Sequence, residues 1–121
     1  MRGAALSVAL LLILGCTTQN QRGAPVDQAE VADRAIELGT AYLRQGDYGR
    51  AKDNLMKALA IDNQSASAHH TLAIVFQQER EFELAESYFK RAIALDPAMI
   101  AARNNYGAFL YAQDRPQDAV E

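Results

Sequence analysis

The chain has 121 residues, of which 50% are hydrophobic and 22% are charged, and its formal net charge is −3 at pH 7. This balance suits one small folded unit and excludes a disordered tail. The sequence has no Lys/Arg stripe with interleaved aromatic residues to support nucleic-acid binding, and its single cysteine excludes an intramolecular disulfide and a multi-cysteine metal site.

The N-terminal segment has the pattern of a signal peptide. A positive start at Arg2 is followed by an almost purely apolar run over residues 4–14. About eleven residues of helix would span only ~16 Å, which is too short for a hydrocarbon core of ~30 Å. The sequence therefore predicts a lipoprotein signal peptide over residues 1–15 rather than a membrane-spanning helix.

The apolar run ends in Leu14-Gly15-Cys16, which resembles the bacterial lipobox, where a small residue precedes a lipidated cysteine. The resemblance implies that Cys16 carries the acyl (palmitate) anchor. It also implies sorting to the outer membrane, because Thr17 stands where aspartate would be the inner-membrane signal. Multiple acyl chains would make the anchoring stable. The alternative is a generic secretion signal with an incidental cysteine.

A polar, aperiodic stretch follows the cysteine, so residues 16–26 are interpreted as the lipidated cysteine and a flexible tether. The remaining sequence repeats every 34 residues, as shown by Gly39, Ala73 and Gly107. The same interval relates larger apolar residues, namely Leu38, Leu72 and Tyr106, and also Tyr42, Phe76 and Leu110. A large apolar residue, a small one and an aromatic one three positions later form the tetratricopeptide pattern.

The second helix of each repeat shows an apolar stripe at i, i+4 and i+7, typical of a buried helix face. The stripe comprises Ala51, Leu55 and Ala58, and then Ala85, Phe89 and Ala92. These patterns predict an all-α fold of tetratricopeptide-repeat helical hairpins stacked in a right-handed superhelix over residues 27–121. The repeats are expected at about 32–65, 66–99 and 100–121.

Individual helices are predicted over about 27–45, 49–61, 65–79, 82–95 and 98–112, followed by a stub from Pro116. Gly46 is predicted to be a left-handed helix cap. The third repeat should continue beyond Glu121, so we expect the chain to be truncated after about two and a half repeats. Tyr106, Phe109 and Leu110 would then lack the second helix that covers them.

Four motifs in these segments are similar to the type IV pilus biogenesis lipoproteins, the PilF/PilW family. They are residues 42–48 (YLRQGDY), 53–59 (DNLMKAL), 68–73 (AHHTLA) and 102–110 (ARNNYGAFL). Arg80 departs from the family, which commonly has a glycine at that turn. The resemblance implies a pilotin, a lipoprotein on the periplasmic face of the outer membrane. A pilotin binds the pilus secretin, promotes its localisation and multimer assembly, and thereby supports twitching motility.

In tetratricopeptide folds the first helix of each hairpin lines a concave groove, which gives a candidate partner-binding face. Its bulky apolar residues, Ile36, Leu43, Ile74 and Tyr111, are expected to face no neighbouring helix and to suit an apolar peptide or helix. The alternative is that they pack within the superhelix or against a further part of the protein. The predicted groove residues are Ile36, Thr40, Leu43, Arg44, His70, Ile74, Gln77, Asn104 and Tyr111. The same register also places Asp33, Ser67, Gln78, Ala101 and Ala108 on this face.

Residue patterns for catalysis are missing from the sequence. His69 and His70 are adjacent, so on a helix they point ~100° apart and cannot chelate one metal ion as an i, i+4 pair would. The carboxylates that follow are predicted to form a solvated face: Glu79, Glu81, Glu83 and Glu86. With no nucleophile–base pair and no glycine-rich phosphate loop, we predict a protein that is not an enzyme. It is expected to use no cofactor, metal or small-molecule substrate.

Two other functions remain open at this point. The array could be a lipoprotein activator or adaptor of an envelope enzyme such as a cell-wall synthase. It could also be the N-terminal adaptor of a catalytic domain encoded downstream.

Overall fold

Five α-helices make up the regular structure of the computed structural model, which describes residues 23–114. They are α1 (Gln28–Arg44), α2 (Tyr48–Ile61), α3 (Ala66–Gln78), α4 (Phe82–Leu95) and α5 (Ile100–Ala112). Each lies within two residues of its predicted bounds, and the all-α tetratricopeptide fold is confirmed. The predicted signal peptide, Cys16 and the stub from Pro116 lie outside the described residues.

Short polar side chains begin the first three helices. The Asp27 carboxylate accepts a hydrogen bond from the Ala29 amide at 2.9 Å, and the Asp47 carboxylate accepts one from the Arg50 amide at 3.1 Å. The Ser65 hydroxyl does the same for the Ala68 amide at 3.2 Å. Each contact satisfies an amide that has no partner within its own helix, and so it specifies where the helix starts.

The turns inside the hairpins share one backbone conformation. Gly46, Arg80 and Asp114 have φ values of +75°, +63° and +57°, and they lie 34 residues apart. The residue that follows Gly46 and the one that follows Arg80 each donate a backbone hydrogen bond at 2.9 Å. The Asp47 amide donates to the Tyr42 carbonyl, and the Glu81 amide donates to the Phe76 carbonyl. This six-to-one pattern closes the helix C-terminus through a left-handed residue. The prediction for Gly46 is therefore confirmed, and the repeat is visible in the backbone as well as in the sequence.

Helices α1 and α2 pack closely because of the small residue that the repeat predicts. A β-carbon at Gly39 would lie 2.6 Å from Leu55 Cγ and 3.2 Å from the Ala51 carbonyl oxygen. Both stripes of the second helices face inward, since all six of their residues are fully buried. The core thus lies along the seam between the first and second helices of the hairpins.

Aromatic rings continue the core from the second hairpin into α5. Phe109 lies with its ring centroid 5.6 Å from Phe89 and 6.2 Å from Phe82, and it is 1% exposed. Leu110 is fully buried in the same cluster. Both residues are buried although the second helix of their repeat lies outside the described residues, and the Phe82 and Phe89 rings of α4 contact Phe109. Tyr106 is half-buried and stacks on Phe89.

Candidate partner-binding face

The predicted groove residues lie on α1, α3 and α5, the first helices of the successive repeats. Helix α1 contacts α3, and α3 contacts α5, so the structure brings these residues onto neighbouring helices. We call this surface the first-helix face and define it by the nine predicted residues: Ile36, Thr40, Leu43, Arg44, His70, Ile74, Gln77, Asn104 and Tyr111.

The apolar residues of the first-helix face are less exposed than expected. Ile36, Leu43 and Ile74 are half-buried and pack against the core, whereas Tyr111 is 72% exposed. The prediction that all four face no neighbouring helix is therefore wrong for the first three. Each of these three side chains packs against buried core residues, which cover part of its surface. Of these four residues, Tyr111 alone presents a large, mostly exposed apolar surface to a partner.

Polar residues on this face are held in different ways. Thr40 is half-buried, and its hydroxyl donates to the Ile36 carbonyl at 2.8 Å, so it is satisfied within its own helix. Gln77 is half-buried, while Arg44 and Asn104 are exposed. Within residues 23–114 the side chains of these last three residues form no hydrogen bond or ion pair, so they can hydrogen-bond an incoming segment without losing a contact of the described fold.

His70 joins the second repeat to the third. The Asn105 side-chain amide donates to His70 Nε2 at 2.8 Å, and the His70 ring lies 6.2 Å from Phe89. Burial lowers the pKa of His70 below the ordinary histidine value of 6.5, because removing water penalises the charged form. His70 is thus a neutral hydrogen-bond acceptor between repeats, and sequence reasoning missed Asn105 as its partner.

Charge is sparse along most of the first-helix face. Helix α3 contains no Asp, Glu, Lys or Arg, and α5 contains only Arg103, which donates to the Pro97 carbonyl at 3.3 Å. Helix α1 is different, with acidic and basic side chains along its length. The face therefore passes from a first helix with several charged residues to a second with none and a third with one.

Two of the four carboxylates predicted to be solvated are engaged in the structure. Lys52 Nζ lies 2.9 and 3.0 Å from the two oxygens of Glu79, and this pair links the first repeat to the second. Glu86 accepts from the Tyr106 hydroxyl at 3.0 Å and lies 3.4 Å from Lys90 Nζ. Both carboxylates are half-buried, whereas Glu81 and Glu83 are exposed as predicted. Glu79 and Glu86 therefore each stabilise a contact between two repeats, through Lys52 and Tyr106 respectively.

Histidine 69 has a packing role. Its Nε2 lies 3.1 Å from the Asn63 carbonyl oxygen, and its ring lies 5.6 Å from Tyr88. In the part of the chain that the structure describes, no three His, Cys, Asp or Glu side chains come together as a metal site would require. None of the helices in that same part is long and apolar enough to cross a membrane.

A cleft of about 290 Å³ lies at one end of the first-helix face. It forms where the start of α1, the end of α2 and the cap of α3 meet, and it shares Asp33 and Ile36 with the predicted groove positions. Its other lining residues were not predicted, because they come from three helices that only the packing brings together. They are Gln28, Ala29, Ala32, Ile61, Asp62 and Ser65.

Comparison with known families agrees with this geometry. Two sequence models of the tetratricopeptide repeat match the chain, one over residues 32–65 and the other over residues 66–98. Together the two matches cover more than half of the chain and include most of α1 and all of α2, α3 and α4.

Among known proteins, the chain is similar to the type IV pilus assembly protein PilF of Pseudomonas aeruginosa. The two are 40% identical over the whole chain, which spans 49% of that protein's length. A solved structure of Pseudomonas aeruginosa PilF superposes with a TM-score of 0.74 at 46% identity, covering 76% of this chain and 41% of that one. The first tetratricopeptide domain of Spaghetti (RPAP3), bound to an HSP90 peptide, superposes with a TM-score of 0.71 at 28% identity, covering 78% and 76% of the two chains.

Proposed function

The chain belongs to the tetratricopeptide repeat family, and on that premise we propose that it is a PilF-like lipoprotein scaffold that acts in type IV pilus biogenesis. In this proposal Cys16 carries the acyl anchor, and the protein resides on the periplasmic face of the outer membrane. The repeats bind the pilus secretin subunit and promote its localisation and multimer assembly. The observation that carries the proposal is the 40% identity to PilF over the full length of this chain.

The first-helix face supports a role in holding a protein segment. Tyr111 offers an exposed apolar ring at the α5 end of the face, and Gln77, Asn104 and Arg44 offer hydrogen-bonding groups elsewhere on it. A peptide with an acidic C-terminus, such as the SRMEEVD peptide bound to Spaghetti, is a poor fit here. Arg44 is the only cation among the nine residues of the face, and α3 carries no charge at all. We therefore propose that the secretin contributes an internal, largely uncharged segment to this part of the face.

The test is complementation of a gene deletion, with secretin multimers as the readout. Deletion should abolish detergent-resistant secretin multimers and twitching, and the wild-type gene should restore both. Cys16→Ser should leave the helical circular dichroism of the purified protein unchanged but release it from the membrane fraction. Tyr111→Glu should weaken secretin binding, because it places a charge on the exposed apolar ring position.

Met56→Glu is the matched control, since Met56 is 42% exposed and lies on α2, away from the first-helix face. It should leave multimer formation intact. Unchanged multimers in the deletion strain would refute the proposed function. A cell-wall defect with normal multimers would instead favour the activator of an envelope enzyme.

A further inference from the structure

The cleft at the end of the first-helix face combines apolar walls with acidic groups. Ala32 and Ile36 of α1 contribute to one wall, and Ile61 closes the cleft from the end of α2. Ala32 is 4% exposed and the two isoleucines are half-buried, so the interior is already apolar in the absence of a partner. Asp33 and Asp62 also line the cleft, and both are exposed.

The two carboxylates have no cation of their own. Within residues 23–114 neither Asp33 nor Asp62 forms an ion pair, whereas the neighbouring Arg34 is already paired with Glu30 at 2.7 Å. One oxygen of Asp62 accepts from the Gln64 amide at 3.0 Å, which holds that side chain in place. An acidic rim above an apolar interior is therefore available to a group that is apolar along its length and cationic at its end.

We propose that this cleft receives a lysine or arginine side chain of the protein segment that the first-helix face binds. The methylene groups of such a side chain would lie along Ala32, Ile36 and Ile61, and its charged end would meet Asp33 and Asp62. Long basic side chains commonly bury their aliphatic stem while their charge stays near water.

The size of the cleft and the distribution of charge support this occupant. A volume of about 290 Å³ is at the low end of the range for small-molecule sites, which start at ~300 Å³, and it leaves room for one long side chain of a docked segment. Helices α3 and α5 present no carboxylate, which places the acidic groups at the α1 end only. The bound segment should therefore carry its basic residue at one end of an otherwise uncharged stretch. The identity of that segment as part of the secretin rests on the proposed function, but the chemistry of the cleft does not.

The test uses isotope-labelled protein and two capped pentapeptides, each with two alanines on either side of a central residue. The central residue is lysine in one peptide and norleucine, which has a similar stem without the charge, in the other. In NMR titrations the lysine peptide should shift the amide signals of Ala29, Asp33, Ile36 and Asp62, with saturation in the millimolar range. The norleucine peptide should bind about two- to fivefold more weakly, as expected when an exposed ion pair is lost.

Variants and salt separate the charge contribution from the apolar one. The double variant Asp33→Asn, Asp62→Asn should reduce the affinity for the lysine peptide to that for norleucine. Glu37→Gln, one turn along α1 from Asp33 and also exposed, should leave it unchanged. Sodium chloride at 0.5 M should weaken the lysine peptide only, because the charges are screened.

Equal binding of the two peptides, or binding of neither, would overturn the proposal. Either result would leave the secretin assay unaffected, so the failure of this inference can be told apart from failure of the proposed function. Conversely, lysine-dependent binding with normal secretin multimers in the deletion strain would support the cleft and refute its assigned partner.

Discussion

At position 39 the fold has room for a hydrogen atom and for nothing larger. Gly39 of α1 faces Leu55 and Ala51 of α2, both of which are fully buried, so a side chain at this position would have to displace packed atoms. The second repeat has Ala73 at the same place, also fully buried, with Phe89 opposite in place of Leu55. The repeat predicted a small residue at both positions, but only the packing shows that the first hairpin is the tighter of the two.

Gly39→Ala is expected to lower the free energy of unfolding by about 1–3 kcal/mol, because the added methyl group overfills a packed seam. Gly49→Ala is the control. Gly49 lies in the first turn of α2, and a β-carbon there would meet only Asp47 Oδ1 at 3.9 Å. Alanine at that site should raise stability by up to about 1 kcal/mol through helix propensity. Urea unfolding followed by circular dichroism measures the free energy of unfolding of both variants. A higher value for Gly39→Ala than for the wild type would contradict the close packing.

Among the elements, the hairpin turns show how one backbone shape accepts three different residues. Gly46 adopts its positive φ without strain, while Arg80 and Asp114 adopt nearly the same conformation with a β-carbon present. Aspartate adopts the left-handed region more readily than most residues, and arginine has no such preference. The Arg80 guanidinium lies 5.6 Å from the Phe82 ring centre, which offsets part of the cost.

Replacing Arg80 by glycine should therefore stabilise the protein, by about 0.5–1 kcal/mol, since the left-handed conformation is disfavoured for residues with a β-carbon. The reciprocal change, Gly46→Arg, should destabilise it by about 1–2 kcal/mol for the same reason. Thermal unfolding of both variants checks the pair. A lower melting temperature for Arg80→Gly would mean that the contact with Phe82 outweighs the backbone strain.

Viewed as a whole, the molecule is a stack whose repeats are joined by a few specific contacts. Lys52 pairs with Glu79 between the first and second repeats, and His70 accepts from Asn105 between the second and third. Each repeat contacts its neighbours along the stack, as in other repeat proteins, so such contacts couple the stability of successive repeats. None of these pairs follows from the 34-residue interval.

The stability of the stack should fall as pH decreases from 7.5 to 5.5. The pKa of His70 is lowered in the folded state by burial, so the unfolded chain binds more protons in this range and stability rises with pH. The contribution of His70 is fully present above the unfolded pKa of about 6.5 and is lost as pH falls through the lower folded value. Urea midpoints at the two pH values measure this change.

His70→Gln should reduce that pH dependence, because glutamine keeps a hydrogen-bonding group for Asn105 but does not titrate. His69→Gln, which changes the adjacent histidine, should retain the part that His70 contributes. An equal pH dependence in the wild type and His70→Gln would exclude His70 as its source.

The sequence by itself determined the repeat class, the helix bounds and the small residues at the helix seams. It could do so because stacking identical hairpins demands the same residue types every 34 positions. Only the tertiary structure decided how much of each predicted groove residue is exposed. Ile36, Leu43 and Ile74 have the composition of a binding surface, yet they pack against the core and are half-buried.

The same limit applies to the cleft. Asp33, Ile61 and Asp62 come from helices whose relative position is set by core packing, and no local pattern marks residues that meet only through that packing. Local periodicity reports which face of a helix is buried. It does not report how closely two helices pack. That packing creates the cleft and leaves Ile36, Leu43 and Ile74 half-buried.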